Sequence, residues 1–140
     1  MPCLEIQMPK VSMQTKEALA EGLTSDFVEA AGFDAEKFGI YFEEYDYGAI
    51  AYNGKLTTAT SGRPLLHFVL NCPRLKKSVK SQLVQRFTQT FIKCVRNEDW
   101  KPVIHINEHP YDNVGVQGKL LSEQFDDLAK AKFYYELPED

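Results

Sequence analysis

The chain has 140 residues, of which 44% are hydrophobic and 26% charged, with a formal net charge of −4. That is the make-up of one soluble globular domain with a real core. The acidic balance excludes a nonspecific nucleic-acid binder, which needs a clustered basic surface; no apolar run approaches the ~20 residues of a membrane-spanning helix, and the polar, acidic N-terminal stretch is not a secretory leader.

In chain order, Leu4, Ile6 and Met8 alternate with Cys3, Glu5 and Gln7, which predicts a strand with one apolar face. Ser12 is the expected N-cap of a helix on which Leu19, Leu23, Phe27 and Ala31 recur at four-residue steps, with Gly32 as its stop. A second strand is expected at FGIYFEEY (38–45), followed by a Gly-containing segment that closes on Lys55-Leu56. TTATSGR (57–63) reads as a connector. The order then repeats. Leu66, Phe68 and Leu70 alternate with Leu65, His67 and Val69. Val79, Leu83, Phe87 and Phe91 mark a second helix that ends before RNEDWKP. PVIHINEH (102–109) reads as a further strand, and Gly118-Lys119-Leu120 closes the repeat. The acidic, aromatic tail reads as a short helix docking Phe133, Tyr134 and Tyr135 on a neighbour, or as a disordered end.

The chain is therefore written twice, as a first β-α-β unit (2–56), the connector (57–63), a second unit (64–122) and a tail (123–140), all within a single domain, 1–140. Pro2, Leu4, Ile6 and Met8 fall on Pro64, Leu66, Phe68 and Leu70 at an offset of 62. Glu44, Tyr47, Ile50 and Gly54-Lys55-Leu56 fall on Glu108, Tyr111, Val114 and Gly118-Lys119-Leu120 at an offset of 64, so one short loop insertion is expected. The fold class is α+β in two layers: a mixed four-stranded sheet with both helices on one face, as right-handed crossovers related by a pseudo-twofold axis require. The other face carries Glu5, Gln7, His67, Val69, His105 and Asn107, too polar for a dry core and too aliphatic to be simply wet. A symmetric oligomer that turns these faces inward is the economical answer. Cys3, Cys72 and Cys94 form no C-x-x-C pair, which argues against a disulfide framework or a zinc site and for a reducing, cytoplasmic setting.

Three stretches carry a family resemblance: MPCLEIQM, LNCPRLKKSVKSQLVQRF and VIHINEHPYDNVGVQGKLLSE. Together with the duplication, the chain resembles the tautomerase superfamily, including the 4-oxalocrotonate tautomerase, malonate semialdehyde decarboxylase and cis-3-chloroacrylic acid dehalogenase groups. The resemblance implies a (β-α-β)2 fold, a homotrimer, no cofactor and no metal. It also implies an N-terminal proline as general base or acid, with arginines holding a small-molecule carboxylate substrate. Pro2 matches the catalytic proline, and Arg74 the second arginine of the decarboxylases' Arg-Pro-Arg motif. The first arginine of that motif falls on Cys72. The dehalogenases' helix histidine meets Asp26-Phe27-Val28, their tyrosine falls on His105 and their glutamate on Val116. The decarboxylases' aspartate lands near Glu36 or Lys37. These departures count against hydration, dehalogenation and decarboxylation, and leave proton transfer.

The chemistry agrees with that reading. If the initiator Met1 is removed, Pro2 presents a secondary amine, and an α-amino group titrates near ~8. Desolvation or nearby cations lower that value towards the operating pH, where a base is efficient. With Met1 in place the same nitrogen is an amide without basicity. Arg74, at the mouth of the second helix, is placed to grip a carboxylate in bidentate fashion, or is a solvated member of the run Arg74, Lys76, Lys77, Lys80. Lys76 or Lys77 is a candidate second cation. His105 reads as a structural interface histidine or as a hydrogen-bond donor to substrate oxygen. Tyr41, Tyr45, Tyr47 and Tyr52 read as interface aromatics, one of which could wall a pocket. Cys72 has no evident histidine partner for nucleophilic work, and His109 reads as a solvated loop residue. The expected function is a cofactor-independent keto-enol tautomerase acting on a small 2-oxo or enol carboxylate. The alternatives are a 3-oxo acid decarboxylase or hydratase, or a catalytically silent trimeric binding protein.

Overall fold

The computed structural model describes residues 2–60 and 64–124. Most of the connector is covered; the aromatic tail, with Phe133, Tyr134 and Tyr135, lies outside the described residues. The elements run β1 (Cys3–Pro9), α1 (Met13–Ala31), a 3-10 turn (Ala35–Lys37), β2 (Gly39–Tyr45), β3 (Ala51–Tyr52), β4 (Lys55–Leu56), β5 (His67–Cys72), α2 (Lys77–Val95), β6 (Val103–Glu108), a second 3-10 turn (Tyr111–Asn113), β7 (Gly115–Val116), β8 (Lys119–Leu120) and α3 (Leu121–Gln124). The main sheet has the order β2-β1-β5-β6. β1 is parallel to β2, antiparallel to β5, and β5 is parallel to β6. This is the mixed four-stranded sheet that the alternating pattern demands.

Local signals explain the helix ends. The Ser12 side chain accepts a hydrogen bond from the Thr15 amide, and Gly32 stops α1 in the left-handed region at φ 76°. α2 has no such signals: Lys76 makes no side-chain cap bond, and Arg96 takes the left-handed cap at φ 57°. Packing holds this helix instead. Leu83, Phe87 and Phe91 are fully buried, and Phe91 meets Phe68 edge-on with ring centroids 5.1 Å apart. In the first half Leu19, Leu23 and Phe27 bury the matching stripe, and Phe27 stacks on Phe38 at 4.2 Å. Leu4, Ile6, Met8, Phe68 and Leu70 complete one core between sheet and helices.

The duplication is tighter than the sequence suggests. Every matched element lies 64 residues from its counterpart: Cys3 pairs with Gly39 and His67 with Val103, and α1 starts at Met13 where α2 starts at Lys77. Asn53 and Gln117, both at positive φ, occupy the same turn position. The expected offset of 62 over the first strands is therefore corrected: Pro2 matches Leu66, not Pro64, and no loop insertion separates the halves. The physical reason is the period of two in a strand. A two-residue slip leaves the apolar alternation intact, so pattern alone cannot set the register.

Candidate functional site

Pro2 is buried at the head of β1, and its carbonyl accepts the Gly39 amide at 3.3 Å. Cys3 opposes Asn71 in the antiparallel pair. The same register carried one residue further sets Pro2 beside Cys72, which ends β5 and pairs with Glu108. Arg74 follows two residues later and is half-buried. Pro2 and Arg74 thus share one end of the sheet, although 72 positions separate them in sequence. The 3-10 turn with exposed Glu36 and Lys37 leads into Gly39 at this same end, and Lys76 and Lys77 open α2 there, both exposed.

The loop carrying Arg74 is tied down from β6. The Leu75 amide donates to Glu108 Oε2 at 2.6 Å, Lys80 Nζ donates to Glu108 Oε1 at 3.1 Å, and the His109 amide donates to the Cys72 carbonyl at 2.8 Å. Cys72 itself is not a nucleophile. Burial first, and then the Glu108 carboxylate, push its thiol up to about 12. It stays protonated at neutral pH and supplies no positive charge in place of an arginine.

His105 is not brought to Pro2. It pairs with Val69, which pairs with Glu5, so it lies about three residues further along the sheet, roughly 10 Å, and two strands over. Its ring belongs to a chain crossing the open face. Gln7 donates Nε2 to Glu43 at 3.1 Å and turns its oxygen to His67 Nδ1 at 3.1 Å. That assignment leaves His67 Nε2 to accept from His105 Nδ1 at 2.6 Å.

The polar group nearest the Pro2 end centres on Asn71, which sequence reasoning missed. Its Nδ2 reaches Cys3 Sγ at 3.7 Å and donates to Glu5 Oε2 at 3.2 Å. Its Oδ1 meets Asn107 Nδ2 at 3.5 Å and His109 Nε2 at 3.3 Å. His109 is therefore a half-buried member of this group and not a solvated loop residue. The signal that could have found it is the alternation of β6, which puts 103, 105, 107 and 109 on one face. Of the tyrosines, Tyr45 donates its hydroxyl to the Leu65 carbonyl at 2.5 Å, while Tyr41 and Tyr52 lie exposed. Among the described residues no group of three His, Cys, Asp or Glu side chains could hold a metal ion, and no helix is long and apolar enough to cross a membrane.

No known family's sequence profile matches the chain, and no curated protein does. Solved structures do. A fused 4-OT wild type asymmetric trimer is 22% identical, with a TM-score of 0.77 over 87% of this chain and 98% of that one. Pt0534, in a structure inactivated by 2-oxo-3-pentynoate, is 18% identical, with a TM-score of 0.72 over 84% and 94%. A member of the cis-3-chloroacrylic acid dehalogenase family is 17% identical, with a TM-score of 0.68 over 84% and 82%. These are tautomerase-superfamily structures, and the chain has their fold.

Proposed function

We propose that the protein is a cofactor-independent keto-enol tautomerase for a small 2-oxo or enol carboxylate, with Pro2 as the base once Met1 is removed. The observation that carries this reading is the placement of Pro2 and Arg74 at the same end of the sheet. In the proposed reaction the Pro2 amine takes the enol hydroxyl proton and returns a proton to carbon, converting enol to ketone. Arg74 holds the carboxylate and keeps the reacting atoms in reach of the amine. A buried amine suits the task, because desolvation disfavours its ammonium form and brings its pKa towards neutrality. The Asn71 group lines the neighbouring face, with its Nδ2 hydrogens committed to Cys3 and Glu5, so it shapes this side of the site and does not donate to the substrate. His105, held by His67, is assigned to the open face and not to proton transfer.

We also propose that the working form is a homotrimer in the cytoplasm. The open face carries the Gln7–His67–His105 chain beside exposed Tyr41 and Val103, a surface that suits burial against another copy. Cys3, Cys72 and Cys94 are all free thiols, as a reducing compartment allows.

The test compares two preparations of one sequence, with Met1 removed and with Met1 retained. The Met1-free form is expected to ketonise phenylenolpyruvate, with a pH–rate limb set by the amine; the Met1-retaining form is expected to be nearly inactive. Pro2→Ala leaves a primary amine and should lose part of the activity. Light scattering should give the same trimer for all three. Equal activity with and without Met1 would make Pro2 structural; no activity in either form would favour a silent binding protein; a monomer at micromolar concentration would remove the trimer.

A further inference from the structure

The duplication contains two copies of one hydrogen-bonded clasp. In the first half Glu44, near the end of β2, accepts the Val11 amide at 2.9 Å and Lys16 Nζ at 2.7 Å. In the second half Glu108, at the end of β6, accepts the Leu75 amide at 2.6 Å and Lys80 Nζ at 3.1 Å. All three positions correspond at the single offset of 64: Glu44 to Glu108, Val11 to Leu75, Lys16 to Lys80. Each carboxylate spans the loop that enters a helix. It fixes the backbone just before the N-cap, meets the positive end of the helix dipole, and neutralises a lysine in the first turns that the dipole disfavours. The clasped loops are Met8-Pro9-Lys10-Val11 and Cys72-Pro73-Arg74-Leu75.

The two clasps are alike in structure and differ in what they carry. Only the second holds an arginine, and only the second lies at the Pro2 end of the sheet. We propose that Glu108 is a positioning residue that orients Arg74 towards Pro2, and that Glu44 is its functionally silent twin. The reasoning is geometric. Leu75 is the residue after Arg74, so the bond to its amide fixes the backbone on one side of the guanidinium stem, while the His109 amide on the Cys72 carbonyl fixes the other. A guanidinium grips a carboxylate through two parallel bonds, and that grip tolerates little displacement of its stem. The function of the positioning rests on the proposed role of Arg74, whereas its geometry does not.

Glu44 makes the test discriminating, because a merely structural carboxylate should behave as its twin does. Glu108→Gln and Glu44→Gln are made in Met1-free protein. Thermal unfolding, the Nε–H NMR signal of Arg74 (assigned with Arg74→Lys) and the titration of that signal with pyruvate are measured for both. The two variants should lose similar thermal stability. Only Glu108→Gln should shift or broaden the Arg74 signal and weaken pyruvate binding, by roughly ten- to a hundredfold. In an enol assay it should raise KM more than it lowers kcat, while Glu44→Gln stays near wild type. If Glu108→Gln leaves the Arg74 signal in place, or if Glu44→Gln moves it equally, the positioning role is refuted. If wild type binds no pyruvate yet Glu108→Gln alone moves the Arg74 signal, the positioning stands and the carboxylate reading of Arg74 fails.

Discussion

The two helices pack tightly at Gly22, and the cost of filling that contact can be worked out. A Cβ at position 22 would stand 2.7 Å from Thr90 Cγ2, nearer than side-chain carbons approach. Thr90 cannot swing aside freely, because its hydroxyl donates to Asp26 Oδ2 at 2.5 Å. Gly22→Ala gains ~1 kcal/mol of helix propensity. Against this stands overpacking of ~1–3 kcal/mol, or, if Thr90 rotates away, loss of a hydrogen bond to a carboxylate worth ~1.5–3 kcal/mol. The net expectation is destabilisation of about 1 kcal/mol from these two ranges. Thr90→Ser removes the clashing methyl and keeps the hydroxyl, so alanine at 22 should become favourable in that background. Urea unfolding of the four proteins at one fixed concentration gives the coupling, expected at ~1–3 kcal/mol in favour of the double variant. A coupling below ~0.5 kcal/mol would show the two sites to be additive and the helix contact to be looser than described.

Two further outcomes follow from the perturbed groups. With its thiol at about 12, Cys72 is only ~0.01% thiolate at pH 8, so a disulfide reagent should leave it unmodified in the native protein and modify it rapidly in urea; rapid native-state modification would refute the burial argument. Asp26 is raised above 3.8, chiefly by desolvation against the Thr90 hydrogen bond, so the folded chain holds this proton more tightly than the unfolded one. Its contribution is full below pH 3.8 and is lost as pH rises through the raised value, so wild type should lose ground to Asp26→Asn between pH 3.5 and 7; urea midpoints at the two pH values that move the other way would contradict it.

How far the molecule could be read in its sequence depended on the range of each signal. The strands, the helical stripes, the Ser12 cap and the Gly32 stop were legible because alternation, four-residue steps and capping chemistry are local. Arg96 was not, since nothing marks a non-glycine residue for a left-handed cap. The repeat sets Glu44 over Glu108, yet their partners Lys16 and Lys80 lie 28 residues upstream and carry no mark of the pairing. The placement of Pro2 and Arg74 at one end of the sheet depended on the antiparallel β1–β5 register, which no local pattern records. The alternation of β6 puts His109 on the open face, but the Asn71 group it joins became visible only when that register laid Cys3 opposite Asn71 and β6 beside both.

The pseudo-twofold axis gives the sheet two equivalent ends, and the differences between them bear on the proposed chemistry. At the second end Leu66 stands where Pro2 stands: its carbonyl accepts the Val103 amide as the Pro2 carbonyl accepts that of Gly39. Its nitrogen is an internal amide, and its lone pair is committed to the peptide bond. Lys10 takes the place of Arg74 and is ion-paired to Asp46 at 3.0 Å, whereas the counterpart of Asp46 is Pro110, which carries no charge. The Tyr45 hydroxyl on the Leu65 carbonyl ties β2 to the chain beside this second end. A base that is a terminal amine cannot be copied by repeating a sequence within one chain, because the chain has one N-terminus. The scaffold therefore duplicates down to the paired carboxylate clasps, while the proposed proton transfer by a terminal amine has room at one end alone. At the second end Lys10 is committed to Asp46, and no proposed step draws on it.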